Sequence, residues 1–205
     1  MIKGLKICGV SDPKTLNFIL NHDHKPMMIG FITNYEKSRR FIKYDKLQHL
    51  INIDKKNVNF VSVLVSPNDK TLEKIKDLNF DYYQLYDVDP IRTEQIKSKY
   101  KKKIITAITV SGKDDVIKYK DYSKISDVIL FDSKGYHKSE SFDHNLLNEV
   151  PNELNKMIAG NIQIEDIPNF KNKNFMIDLS GALEDENGKK DISKIDKLLN
   201  LSVKI

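Results

Sequence analysis

Short apolar runs rich in β-branched and aromatic residues recur along this chain, and the stretches between them carry apolar positions three and four apart. The short runs read as strands, the longer stretches as amphipathic helices. The predicted strands are "LKICGV" (Leu5 to Val10), "MMIGFIT" (Met27 to Thr33), "NFVSVLV" (Asn59 to Val65) and "YYQLY" (Tyr82 to Tyr86). Four more follow: "KIITAITV" (Lys103 to Val110), "DVILFD" (Asp127 to Asp132), "MIAGN" (Met157 to Asn161) and "FMIDLS" (Phe175 to Ser180).

Helix-start signals sit between them. In "SDPKTLNFIL" Pro13 falls just inside a start capped by Ser11 or Asp12, and in "SPNDKTLEKIKDL" the cap is Asn68 or Asp69. Near the carboxyl end, "DISKIDKLLNL" places Ile192, Ile195, Leu198 and Leu199 on one helical face. Each strand-plus-helix unit takes about 25 residues, roughly the length that a parallel crossover requires. Repeated units of this kind imply parallel strands with right-handed crossovers, and eight of them predict a (β/α)8 TIM barrel, one α/β domain over residues 1–205. An open doubly wound sheet is the other arrangement, but the first strand-to-helix turn, "CGVSDP", lacks the G-x-G-x-x-G fingerprint of dinucleotide binders.

Composition narrows the chemistry. Among 205 residues, 34 are basic and 29 acidic, for a net charge of +5, and the signs are interspersed. Lysine dominates the basic set, with Arg39, Arg40 and Arg92 the only arginines, which argues for a solvated lysine coat and against a nucleic-acid groove reader. A single cysteine, Cys8, excludes an internal disulfide and fits a reducing, cytoplasmic setting. The opening stretch "MIKGLKICGV" lacks the apolar core of a signal peptide, and no run reaches membrane-spanning length. His22, His24, His49, His137 and His144 show no metal-ligand spacing.

In a barrel the working residues stand at the carboxyl ends of the strands. Cys8, Arg39 and Arg40, Gln84, Asp132, Gly160, Asn161, Asp178, Ser180 and Gly181 all fall at such ends. Each also has a plain structural reading: Cys8 as core filler, Asp132 as a helix cap, "SRR" as a solvated loop. Their shared placement around one mouth is what favours chemistry. Loops after strands seven and eight are common phosphate sites in barrels, and "AGN" and "LSGALE" supply small residues there.

The motifs "KICGVSDP", "GFITNYEKSRR", "YYQLY", "LFDSKG", "IAGNI" and "IDLSGALEDENGKKD" occur in this order across nearly the whole chain. Together they resemble the phosphoribosylanthranilate isomerase family of tryptophan biosynthesis. The resemblance implies an Amadori rearrangement of N-(5-phosphoribosyl)anthranilate, a small-molecule aldose-to-ketose isomerisation without cofactor or metal. It implies Cys8 as general base, Asp132 as general acid and Arg40 as the holder of the anthranilate carboxylate. Gln84 and Asp178 match substrate-contacting positions, and Gly160, Asn161, Ser180, Gly181 and Ala182 match the phosphate-binding loops.

The implied roles make physical demands. With reference values near 8.5 and 3.9, holding a thiolate and a protonated carboxyl together at pH 7 costs about 2 and about 4 kcal/mol respectively. Burial beside Phe131 would raise the Asp132 pKa, and a nearby cation would lower that of Cys8. The chain also departs from the family pattern. Tyr86 and Asp87 replace the His-Gly of a "QLHG" segment, "GYHKSESF" replaces a glycine-rich loop, and Ala182 replaces a glycine. Gly181 is expected to restore the flexibility lost at Ala182. The altered glycines motivate a different expectation, a degenerate barrel that binds a phosphosugar without turnover. Another barrel isomerase or epimerase is a further one, although such epimerases commonly pair two aspartates where this chain offers a thiol.

Overall fold

The eight predicted strands pair in chain order into a closed parallel barrel, β1 meeting both β2 and β8. The structure is a computed structural model, and it describes residues 3–133 and 142–203. The strands are β1 (Leu5–Cys8), β2 (Met28–Ile32), β3 (Asn59–Val65), β4 (Tyr82–Tyr86), β5 (Lys103–Val110), β6 (Val128–Ser133), β7 (Lys156–Ile158) and β8 (Met176–Leu179). Helices α1 (Pro13–Asn21), α2 (Tyr44–Ile51), α3 (Asp69–Ile75), α4 (Pro90–Tyr100), α5 (Lys113–Val116), α6 (Tyr119–Tyr122) and α7 (Ile192–Ser202) cover the outside. Among the described residues, no helix is long and apolar enough to cross a membrane.

The two-residue period of a strand divides the apolar residues between two cores. Outward residues such as Ile7, Phe31, Leu64, Tyr83, Phe131 and Ile177 pack under the helices with Leu16, Leu47, Leu72 and Leu198. Inward residues, among them Val61, Val63, Ile105, Leu130, Met157 and Met176, fill the barrel. The same alternation turns Lys6, Cys8, Gln84, Tyr86, Asp132 and Asp178 inward.

Side-chain caps begin the helices where the sequence signals them. The Asp12 carboxylate accepts from the Thr15 amide at 2.8 Å, with Pro13 in the first turn, and Asn68 accepts from Thr71 at 2.9 Å. Two crossovers differ from the regular scheme: single 3-10 segments, His144–Glu149 and Ile164–Phe170, are the helical elements described before β7 and β8. Pro168 lies inside the second, where it lacks the N–H that an α-helical ladder needs. Three strands keep their predicted bounds and β1 is shorter. It stops at Cys8 because Gly9 turns to φ +79, a left-handed conformation that glycine adopts freely.

Candidate active site

Lys6 and Cys8 are both inward residues of β1, two positions apart. Lys6 is fully buried, and its Nζ donates to Asp178 Oδ2 at 2.5 Å across the β1–β8 pair. Burial works against the Lys6 ammonium, but the charges of Asp178 and Cys8 outweigh it and raise its pKa. For Asp178 burial raises the pKa, opposed by the charge and hydrogen bond of Lys6. Its Oδ1 is buried with no partner among the described residues. Asp178 thus lies on the floor beside β1.

Cys8 stands above that floor, 8% exposed. Burial pushes the thiol pKa up, and Asp178 adds to the rise, while Lys6 and Lys190 oppose it. The expected cation is therefore present, yet the expected lowering is not, because desolvation in the barrel mouth outweighs it. Gly30, paired with Cys8 across β1–β2, makes the room: a Cβ there would stand 2.9 Å from Cys8 Sγ and 3.1 Å from Lys6 Nζ. A glycine inside a strand often marks such a close approach.

Asp132 projects inward from β6. Its Oδ2 accepts from the Tyr86 hydroxyl of β4 at 2.8 Å. Burial raises the Asp132 pKa to about 6, as expected; the Tyr86 hydrogen bond lowers it, the Asp178 charge raises it, and Lys6 lowers it. Tyr86 in turn is pushed up by burial and then by the charges of Asp132, Cys8 and Asp178, so these groups share one electrostatic neighbourhood. Gln84 lies one layer deeper on β4, fully buried, and donates from Nε2 to the Tyr86 oxygen at 3.2 Å.

Arg40 belongs to the loop between β2 and α2, which Asn34 ties to Val65 of β3 through bonds of 2.8 Å in both directions. Its guanidinium forks onto the buried Glu184, with Nη2 donating to Oε2 at 2.9 Å and Nε donating to Oε1. Burial raises the Glu184 pKa, but Arg40 and Lys190 outweigh it and hold the carboxylate below its ordinary range. Lys190 bonds Glu184 Oε1 at 3.0 Å and the Ser180 carbonyl at 2.9 Å. The Arg40 stem crosses the bare face of Gly9, where a Cβ would meet Cδ at 2.4 Å. This is the steric reason for a glycine after Cys8.

The loops after β7 and β8 are built differently from each other. Gly160 (φ +97) and Asn161 (φ +52) are both left-handed, and a Cβ on Gly160 would lie 2.4 Å from Ser133 Oγ. After β8, the 3-10 turn Gly181–Leu183 is closed by bonds from Leu183 to the Ser180 carbonyl and from Glu184 to that of Gly181. Ser180 Oγ donates to the Cys8 carbonyl at 3.0 Å. Gly181 does not take a positive φ; its missing Cβ leaves space 3.8 Å from Arg40 Nη2. Ala182 packs against the outer core.

Every proposed site residue thus lies at the carboxyl end of the barrel or one layer beneath it. His137 and the rest of the segment 134–141 lie outside the described residues. Lys6, Gly30, Glu184 and Lys190 join the site without having been singled out in the sequence. The signal for Lys6 was available, since the residue two before an inward cysteine must also point inward.

A family model described as "N-(5'phosphoribosyl)anthranilate (PRA) isomerase" matches residues 5–201. A curated relative of Agrobacterium fabrum, named N-(5'-phosphoribosyl)anthranilate isomerase, is 29% identical, with 96% of this chain and 93% of the relative covered. One of Rhizobium rhizogenes with the same name is 30% identical over 96% and 92%. Among solved structures, phosphoribosyl anthranilate isomerase from Thermotoga maritima matches with a TM-score of 0.86 at 22% identity, covering 100% of both chains. A phosphoribosyl anthranilate isomerase in complex with reduced 1-(o-carboxyphenylamino)-1-deoxyribulose 5-phosphate matches at 0.84 and 21%, again over 100% of both. At those identities the solved structures speak for the fold alone.

Proposed function

The chain belongs to the N-(5'-phosphoribosyl)anthranilate isomerase family, and from that premise we propose that Cys8 and Asp132 divide the proton transfers of its reaction across one barrel mouth. The protein isomerises N-(5'-phosphoribosyl)anthranilate in tryptophan biosynthesis. In this reading Asp132 protonates the furanose oxygen, the C1–O bond breaks, and the ring nitrogen substituent donates its pair to form a Schiff base. Cys8 as thiolate then takes the proton from C2, and the electron pair passes through C1 to nitrogen, giving an enolamine. Restoring the starting state needs one proton to arrive at C1 and one to leave the 2-hydroxyl, which yields the ketose.

The observation that carries this reading is the pairing of environments. A carboxyl raised to about 6 needs only about 1.4 kcal/mol to be protonated at pH 7, against about 4 for an ordinary aspartate. The Cys8 thiolate remains the costlier species, and Lys6 and Lys190 are the cations that limit its cost. Arg40, pre-ordered by Glu184, takes the anthranilate carboxylate. The N–H groups of Gly181 and Ala182 precede the bonds that close their turn, which leaves them for the phosphate, with Gly160, Asn161 and Ser180 shaping the rim. Asp178 Oδ1 is an acceptor for a sugar hydroxyl, and Gln84 supports the same wall.

The reaction would proceed on a single domain spanning residues 1–205, in a reducing cytoplasm that keeps Cys8 free. Purified protein supplied with anthranilate, phosphoribosyl pyrophosphate and the upstream transferase tests the assignment through loss of substrate fluorescence. Turnover that disappears in Cys8→Ala and in Asp132→Asn, with folding retained, supports it. Fluorescence that persists with bound substrate favours the degenerate phosphosugar-binding barrel.

A further inference from the structure

Tyr86 stands where the family's motif carries histidine, and its phenol reaches past a whole strand. On β4 the inward residues are Tyr82, Gln84 and Tyr86, and the neighbouring β5 residue in register with Tyr86 is Ala107. Ala107 is in turn in register with Leu130 of β6, two positions before Asp132. A methyl group on β5 is what lets a β4 phenol cross to a β6 carboxyl. Below it, Gln84 Nε2 donates into the phenol oxygen at 3.2 Å, and the phenol donates to Asp132 Oδ2 at 2.8 Å. The direction of this chain is set by chemistry: the phenol has one proton, so with an amide N–H entering its oxygen and a carboxyl as the other neighbour, that proton goes to the carboxyl.

We propose that Tyr86, oriented by Gln84 and given passage by Ala107, is a positioning residue that holds one oxygen of Asp132 so that the other delivers the acidic proton to the substrate. The inference rests on the reading of Asp132 as the acid. A donor fixed on Oδ2 confines the transferable proton to Oδ1 and stops the carboxyl from turning about its last torsion. Among the described residues, the titratable or charged groups that act on Asp132 are Tyr86 from β4, Lys6 from β1 and Asp178 from β8, with the Ser133 backbone on its own strand. With the carboxyl titrating near 6 and burial pushing the thiol above its ordinary range, the form carrying both acid proton and thiolate is a constant fraction between the two titrations. The acid limb of kcat/KM therefore reports Asp132.

The experiment compares Tyr86→Phe, Tyr86→His and Asp132→Asn by steady-state kinetics from pH 5 to 9, with circular dichroism to check folding. In Tyr86→Phe the plateau of kcat/KM falls about tenfold, as a loosened reacting group allows, and the acid limb moves to higher pH because a donor favouring the carboxylate is gone. Tyr86→His, whose ring N–H stands closer to the backbone than the phenol oxygen and cannot span β5 to the carboxyl, recovers little of the loss. Tyr86→Phe with an unchanged plateau and limb, beside an inactive Asp132→Asn, overturns the inference and leaves the acid assignment standing. A fall with an unmoved limb also overturns it, as the mark of a space-filling role. Turnover retained in Asp132→Asn sinks the acid assignment itself.

Discussion

Gly30→Ala adds one methyl group to the site and removes no titratable or polar group. Its backbone has no positive φ, so alanine fits β2 without torsional strain. The added Cβ would lie 2.9 Å from Cys8 Sγ, 3.1 Å from Lys6 Nζ and 3.2 Å from Lys6 Cε, where ordinary contact begins at 3.4 Å. The sulfur must therefore retreat by at least 0.5 Å (3.4 minus 2.9) or rotate to another rotamer. Either response carries it off the line to C2, and a misplacement approaching 1 Å costs on the order of 100-fold in rate. Overpacking costs about 1–3 kcal/mol of stability, which a barrel of this size tolerates. Steady-state fluorescence kinetics should give kcat lowered by roughly 30- to 100-fold with KM changed by no more than about threefold, because Arg40 and the phosphate rim are untouched. A kcat within a factor of two of the parent would mean that the position of this sulfur does not matter to the reaction.

Other outcomes follow from the same geometry. Asp132→Asn should stabilise the fold: the carboxyl's pKa rises from 3.8 to about 6 on burial, so folding loses up to about 3 kcal/mol as pH climbs through that window. Urea denaturation should find the variant more stable at pH 7.5 and equal to the parent below about pH 4. Arg40→Ala should raise KM about 10- to 100-fold with a smaller change in kcat, since the anthranilate carboxylate loses its fork while the acid and base stay in place. Gly160→Ala should cost at least about 2 kcal/mol in the same denaturation assay, because a Cβ at φ +97 is strained and also meets Ser133 Oγ at 2.4 Å.

The barrel was legible because its strands, buried on both faces, read as near-continuous apolar runs. Asn59–Val65, Tyr82–Tyr86 and Lys103–Val110 kept their bounds. Where a glycine or a left-handed turn cuts a strand, as at Gly9 and Gly160, an apolar run overstates its length, because hydrophobicity continues past the last ladder bond. The proposed proton-transfer pair stood out as polar groups closing apolar strands. What supports it did not: Lys6 reads as one lysine among many, and only its β1 partner strand reveals the aspartate that neutralises it. Glu184 and Lys190 lie in a stretch, "EDENGKK", whose composition is that of a solvated loop, yet the Glu184 carboxylate is buried under the fork of Arg40, 144 residues away, and the Lys190 side chain is buried against it. Long-range charge pairs leave no local signature. The sign of the Cys8 shift was equally out of reach, since it depends on how far desolvation exceeds the attraction of two lysines.

The most direct test of the division of labour is a crystal structure with the reduced product analogue in the mouth. The account predicts Cys8 Sγ in contact with C2 and the Asp132 carboxyl within hydrogen-bond reach of the former ring oxygen, with the anthranilate carboxylate on Arg40. A ligand seated with either group out of reach of its atom, or bound at the opposite end of the barrel, would contradict it.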